Sequence, residues 1–108
     1  MTPELLTSLL VERIMGWRVA PGRFLMSNRQ WMPRSRFRPT CDLRHAFRVL
    51  GEASPEEFNI ARKVHGDCCV RVRIRGVWGE ASSDSIPLAI CVAAARALGF
   101  EVDCQEHE

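Results

Sequence analysis

The chain has 108 residues, 46% of them apolar and 26% charged, with a formal net charge of +2. That length buries roughly two-thirds of the unfolded surface, enough for one core and not two. No run reaches the roughly 18 apolar residues of a membrane span, and no internal repeat or low-complexity tract is present. The five cysteines are odd in number and lack a C-x-x-C pair, so reduced thiols are expected.

The first predicted helix covers residues 3–15, with Thr2 as N-cap, Pro3 at the first helical position and Leu5, Leu6, Leu9 and Ile14 on its apolar face. Glu4 and Glu12 interrupt those apolar residues, so the segment is not expected to be a signal peptide. Trp17-Arg18-Val19 reads as a short extended piece that meets Pro21-Gly22. An arginine-rich, loop-rich stretch follows, with a strand predicted around Arg29–Met32 that Pro33 stops. A second helix is expected after Pro39, capped by Thr40, with Asp42 in its first turn and Leu43, Ala46, Phe47 and Leu50 at helical spacing.

Two strands are predicted next, about Glu57–Arg62 and Cys68–Trp78, joined by a hairpin turn at His65-Gly66-Asp67. Alternation in the second places Cys68, Val70, Val72 and Ile74 on one face and Cys69, Arg71, Arg73, Arg75 and Val77 on the other. The last helix is predicted to open at Ser85, present Leu88, Cys91, Val92 and Ala95, and close at Gly99. Its Ala93-Ala94-Ala95 run allows another element to approach closely. Residues 1–102 read as one domain and 103–108 as a frayed acidic tail.

The charge is segregated. Nine arginines lie between Arg13 and Arg48 against a single acid, Asp42, whereas residues 76–108 hold six carboxylates against Arg96 alone. Such a field draws an anionic ligand to one region. Fourteen of the fifteen basic residues are arginine, whose planar fork grips phosphate or carboxylate with two parallel hydrogen bonds. A GC-rich genome accounts for the Arg/Lys ratio equally well, but not for the clustering.

Three strings in order, Gly16-Trp17-Arg18-Val19, then Trp31 with Phe37-Arg38-Pro39-Thr40-Cys41-Asp42, then Ile86-Pro87-Leu88-Ala89-Ile90-Cys91-Val92-Ala93-Ala94, resemble the phage ABA sandwich domain family over about residues 8–98. The resemblance implies an α+β fold, an α-β-α sandwich around a small, mainly antiparallel sheet with about three helices, and a phage or prophage origin. It implies no catalytic residue. Arg38, Cys41 and the arginine ladder depart from the family's pattern.

The ladder conflicts with a sheet covered on both faces, which reads as almost continuous apolar sequence. Neighbouring arginines on one face lie about 6.7 Å apart and repel by about 0.6 kcal/mol even in water. An anion is therefore expected beside them: Glu56 or Glu57 from the adjoining strand, an acid from the C-terminal part, or a ligand or nucleic-acid phosphate. Arg34, Arg36 and Arg38 form a second alternating series. Trp31 before them reads first as a core anchor and second as a stacking platform. Trp17 reads as core, and Trp78 stays open.

Cys41 with His45, and His65 with Cys68, have the spacing of two half-sites for zinc, but ordinary packing explains them better. Cys41 before a helix start resembles a nucleophile without an orienting partner. No Gly-rich phosphate loop is present. The expectation is a non-enzymatic phage protein of the bacterial host cytoplasm, without cofactor or metal, that captures a small phosphorylated nucleotide such as a host immune signal. Its ligand residues are expected to be Trp31, Arg34, Arg36, Arg38, Arg71, Arg73 and Arg75, in a homo-oligomer. The alternatives are an accessory nucleic-acid-binding protein and a structural or protein-interaction subunit.

Overall fold

A computed structural model describes residues 2–62 and 66–102. Helix α1 spans Pro3–Leu10, and the chain continues without a break into a π-helical turn over Val11–Met15, so one helical rod covers the predicted range. Thr2 caps it, accepting the Leu5 amide at 3.1 Å. The wider turn brings Leu10 and Met15, five residues apart, onto the same buried side. Gly16 ends it with φ 72°, a left-handed conformation that costs glycine nothing.

The arginine-rich stretch is a small antiparallel sheet. Strands β1 (Arg18–Ala20), β2 (Arg23–Leu25) and β3 (Trp31–Pro33) lie in that order. The extended piece expected at 17–19 is present at 18–20, the strand expected around 29–32 is Trp31–Pro33 with Arg29 in the turn before it and Pro33 inside it, and β2 between them adds a strand that the sequence did not signal. Phe24 from β2 points inward with no exposed surface and meets Trp17 and Phe37, whose ring centroids lie 5.1 Å apart. Trp17 is thus core, as expected.

Helix α2 spans Leu43–Ala53. Its N-cap is Asp42 and not Thr40: the Asp42 carboxylate accepts from the amides of Arg44 and His45, while Thr40 is buried two residues earlier. Strands β4 (Glu57–Arg62), β5 (Cys68–Ile74) and β6 (Val77–Ser83) form a second antiparallel sheet in that order. Arg62 pairs with Cys68 across the first hairpin, and His65 of its expected turn lies outside the described residues. The expected single strand 68–78 is two strands. Arg75 (φ 52°) and Gly76 (φ 81°) both adopt positive φ between the paired Ile74 and Val77, which makes a two-residue hairpin turn.

Helix α3 (Ile86–Ala97) is capped by the Ser85 hydroxyl and terminated at Gly99 with φ 96°. It is the centre of the molecule. Every residue from Ala89 to Ala95 is buried, because β5 and β6 cover one side and α1 and α2 another. Arg96 ties its end down, donating to the carbonyls of Val102 and Glu80. The result is an α+β sandwich of three helices with two small sheets, where a single sheet was expected. The second sheet packs one face on α3, and its opposite face holds the exposed Arg71.

Candidate anion-binding site

Pro33 ends β3 and the chain turns through a single 3₁₀ turn, Arg34–Arg36, whose first amide donates to the Gly22 carbonyl at 3.0 Å. Phe37 then plunges into the aromatic core. Burying that one ring leaves Arg36 and Arg38 facing outward on either side. The amides of Cys41 and Asp42 both donate to the Arg38 carbonyl, which tightens the approach to α2.

Arg34 is held in place. Its guanidinium lies 4.7 Å from the Phe24 ring centre and donates to Ser8 Oγ at 3.0 Å and to the Glu4 carbonyl at 3.4 Å. Arg38 is freer: one guanidinium nitrogen lies 3.7 Å from Cys41 Sγ, and its amide donates to His45 Nδ1 at 3.1 Å. Between the two arginines opens a cavity of about 620 Å³. Thr7, Ser35 and Thr40 add hydroxyls to its wall, and Pro3 and Glu4 bring the start of α1 to its edge. Amides at a helix start favour an anion; the Glu4 carboxylate opposes one.

The structure sorts the expected ligand residues into three groups. Arg34 and Arg38 line the cavity and Arg36 stands outside it, exposed. Trp31 is neither core nor beside them. It is 48% exposed on the first sheet, with the Arg23 guanidinium 3.9 Å from its ring centre. Arg71 and Arg73 project from β5 on the second sheet, and Arg75 is not in the ladder at all but in the β5–β6 turn.

The ladder has anions of its own. Arg73 meets Glu56 and Glu57, each at 3.3 Å, and Glu56 also accepts the Gly76 amide at 2.8 Å, holding the turn. Arg71 lies opposite Glu80 in register and 4.6 Å from the centre of the Trp78 ring. Cross-strand acids thus occupy the neighbourhood where a ligand phosphate was the other expectation.

Thr7 and Ser35 were missed as site residues. They come from separate elements and carry no local signal. For the cysteines, burial first and nearby Cys41 second push the Cys91 thiol well above its ordinary range, leaving it inert, whereas Cys41 is exposed. Among the described residues no group of three or more metal-ligating side chains comes together. No helix among them is long and apolar enough to cross a membrane.

Comparison with known proteins fits the architecture. The family model described as phage ABA sandwich domain matches residues 8–95. The crystal structure of a phage protein from Bacillus cereus ATCC 14579 is similar with a TM-score of 0.78, over 95% of this chain and 93% of that one, at 16% identity. No curated protein matches the sequence.

Proposed function

The chain belongs to the phage ABA sandwich domain family, and from that footing we propose that it is a non-enzymatic protein that captures a small phosphorylated nucleotide in the Arg34–Arg38 cavity. Sequestering such a molecule, of the kind a bacterial host uses as an immune signal, needs tight binding in the host cytoplasm and no chemistry. The observation that carries the proposal is the cavity itself: about 620 Å³, the size of a small-ligand site, with two guanidiniums and the Ser35 and Thr40 hydroxyls on its wall, the Thr7 hydroxyl already donating to the Pro3 carbonyl. Guanidinium forks and hydroxyls are the donors a phosphate takes. No acidic residue occurs between Glu12 and Asp42, so the basic field around the site is uncompensated in sequence.

Arg34 is preorganised by Ser8 and Phe24, which lowers the cost of fixing its side chain on a ligand. Arg38, held more loosely, closes on it. Arg71 and Arg73 are left out of this site because Glu56, Glu57 and Trp78 already engage them. The protein acts as a homo-oligomer assembled through the second sheet.

Calorimetry with linear and cyclic mono- and dinucleotides tests the proposal. At least one should bind, and Arg38→Ala should weaken it by about ten- to a hundredfold, the scale of a lost charge-assisted hydrogen bond. Arg38→Lys should recover only part. If none binds the unmodified protein, the proposal fails.

A further inference from the structure

The outer face of the first sheet is a second feature, separate from the cavity. Register places Arg18, Leu25 and Trp31 in one row and Ala20, Arg23 and Pro33 in the next, while Val19, Phe24 and Met32 point the other way. Arg18, Arg23 and Trp31 are exposed. Arg23 stacks on Trp31 from the Pro33 end of the sheet. Toward the opposite end the indole borders a shallow cavity of about 530 Å³ lined by Gly16, Arg18, Leu25, Met26, Arg29 and Trp31.

Three arginines therefore ring one exposed indole, and among the described residues none of the three forms an ion pair. Arg29 is the more telling because its φ is 67°, a conformation glycine or asparagine takes without cost. The turn that holds it is closed by the Arg29 amide on the Met26 carbonyl and the Met26 amide on the Gln30 carbonyl. A guanidinium is kept there against backbone preference.

We propose that this face binds single-stranded nucleic acid, one base stacking on the free side of Trp31 and the flanking phosphates pairing with Arg18 and Arg29. The chemistry is that of stacking platforms with cationic flanks, where an aromatic face accepts any unpaired base. A duplex fits poorly: its bases are already stacked on one another and leave no open face for the indole. The cations come from β1, β2 and the β2–β3 turn, on separate sides of the indole, which suits successive phosphates of a chain better than one compact ligand.

The test is titration of the full chain with a labelled ten-nucleotide poly-dT and with a duplex of the same length at 50 mM salt. The single strand should bind and the duplex bind at least tenfold more weakly. Trp31→Ala should lose about five- to a hundredfold. Trp78→Ala, on the other sheet, should change nothing. Arg18→Ala and Arg29→Ala should each flatten the logarithmic salt slope by about 0.7. Arg29→Gly separates site from fold: it should raise the melting temperature while weakening the oligonucleotide. Arg38→Ala should leave oligonucleotide binding intact, which keeps this result independent of the nucleotide cavity. No binding of poly-dT, or binding that is unchanged in Trp31→Ala, overturns the proposal; so does loss of oligonucleotide binding in Arg38→Ala.

Discussion

Asp42 holds the start of α2 through the amides of Arg44, 2.9 Å away, and His45, 3.4 Å away, and it lies 3.7 Å from the Arg44 guanidinium. Partial desolvation works to raise its carboxyl pKa, but those two amides and the charges of His45 and Arg44 outweigh it, and the net shift is downward. A depressed folded-state pKa means stability that is full above the carboxyl's unfolded value and lost as pH falls through the folded one. Asp42→Ala should therefore lower the melting temperature by a few degrees at pH 7, and the difference from the unmodified protein should vanish in strong acid. Asp42→Asn, which keeps a capping oxygen, should lose less at pH 7. Melting curves of the three proteins between pH 2 and 7 check both.

The packing of α3 on the second sheet depends on Gly79 in the middle of β6. A Cβ there would run into the Ala93 carbonyl oxygen and the Ala97 amide, with the Ala97 Cα 3.0 Å away. These are backbone atoms and cannot turn aside. Gly79→Ala should destabilise the fold by more than about 3 kcal/mol, read by chemical denaturation, and Ala93→Gly should not rescue it because the carbonyl stays. This close approach is what the Ala93-Ala94-Ala95 run foreshadowed. The limits of α1 and α3 were similarly legible, since Thr2, Pro3, Ser85 and Gly99 are local signals. Strand β6 was read as part of β5, although Gly76 takes the next apolar position after Ile74 and Val77 falls on the arginine face, a break at the reversal that the single-strand reading passed over. Strand β2, three residues long, is below the length at which periodicity speaks. For the same reason the two arginine series looked like one site. One lies on β5 and the other in and after the turn that follows β3, and how far apart those stand is set by tertiary packing that local sequence does not carry.

Across the whole molecule the segregated charge becomes spatial, because the first sheet and its flanking turn belong entirely to the acid-free segment between Glu12 and Asp42. The Trp31 face lies wholly there, and the Arg34–Arg38 cavity takes its arginines from it while α1 brings Glu4 to the wall. The opposite sheet has a different character: its acids answer its own arginines, and β4 is an edge strand with no further strand partner among the described residues. Beside that edge Phe58 is 50% exposed and Phe47 on α2 41% exposed, with ring centroids 6.4 Å apart, and Leu43 extends the apolar strip one turn along α2. An open edge next to exposed aromatics is a surface that proteins cover. A second copy, in the homo-oligomer proposed above, would cover it. Antiparallel pairing of two β4 strands about Asn59 sets Phe58 of each against Ile60 of the other and brings Glu56 opposite Arg62, with every inward residue on the same face of a continuous six-stranded sheet. Light scattering should therefore find at least twice the 12.3 kDa of one chain. Phe58→Asp should return it to the single-chain mass with little change in far-UV dichroism, because a half-exposed side chain on an edge strand contributes modestly to the monomer's own core. A single-chain mass for the unmodified protein at micromolar concentration would sink the assembly and leave both ligand sites to be tested on the monomer.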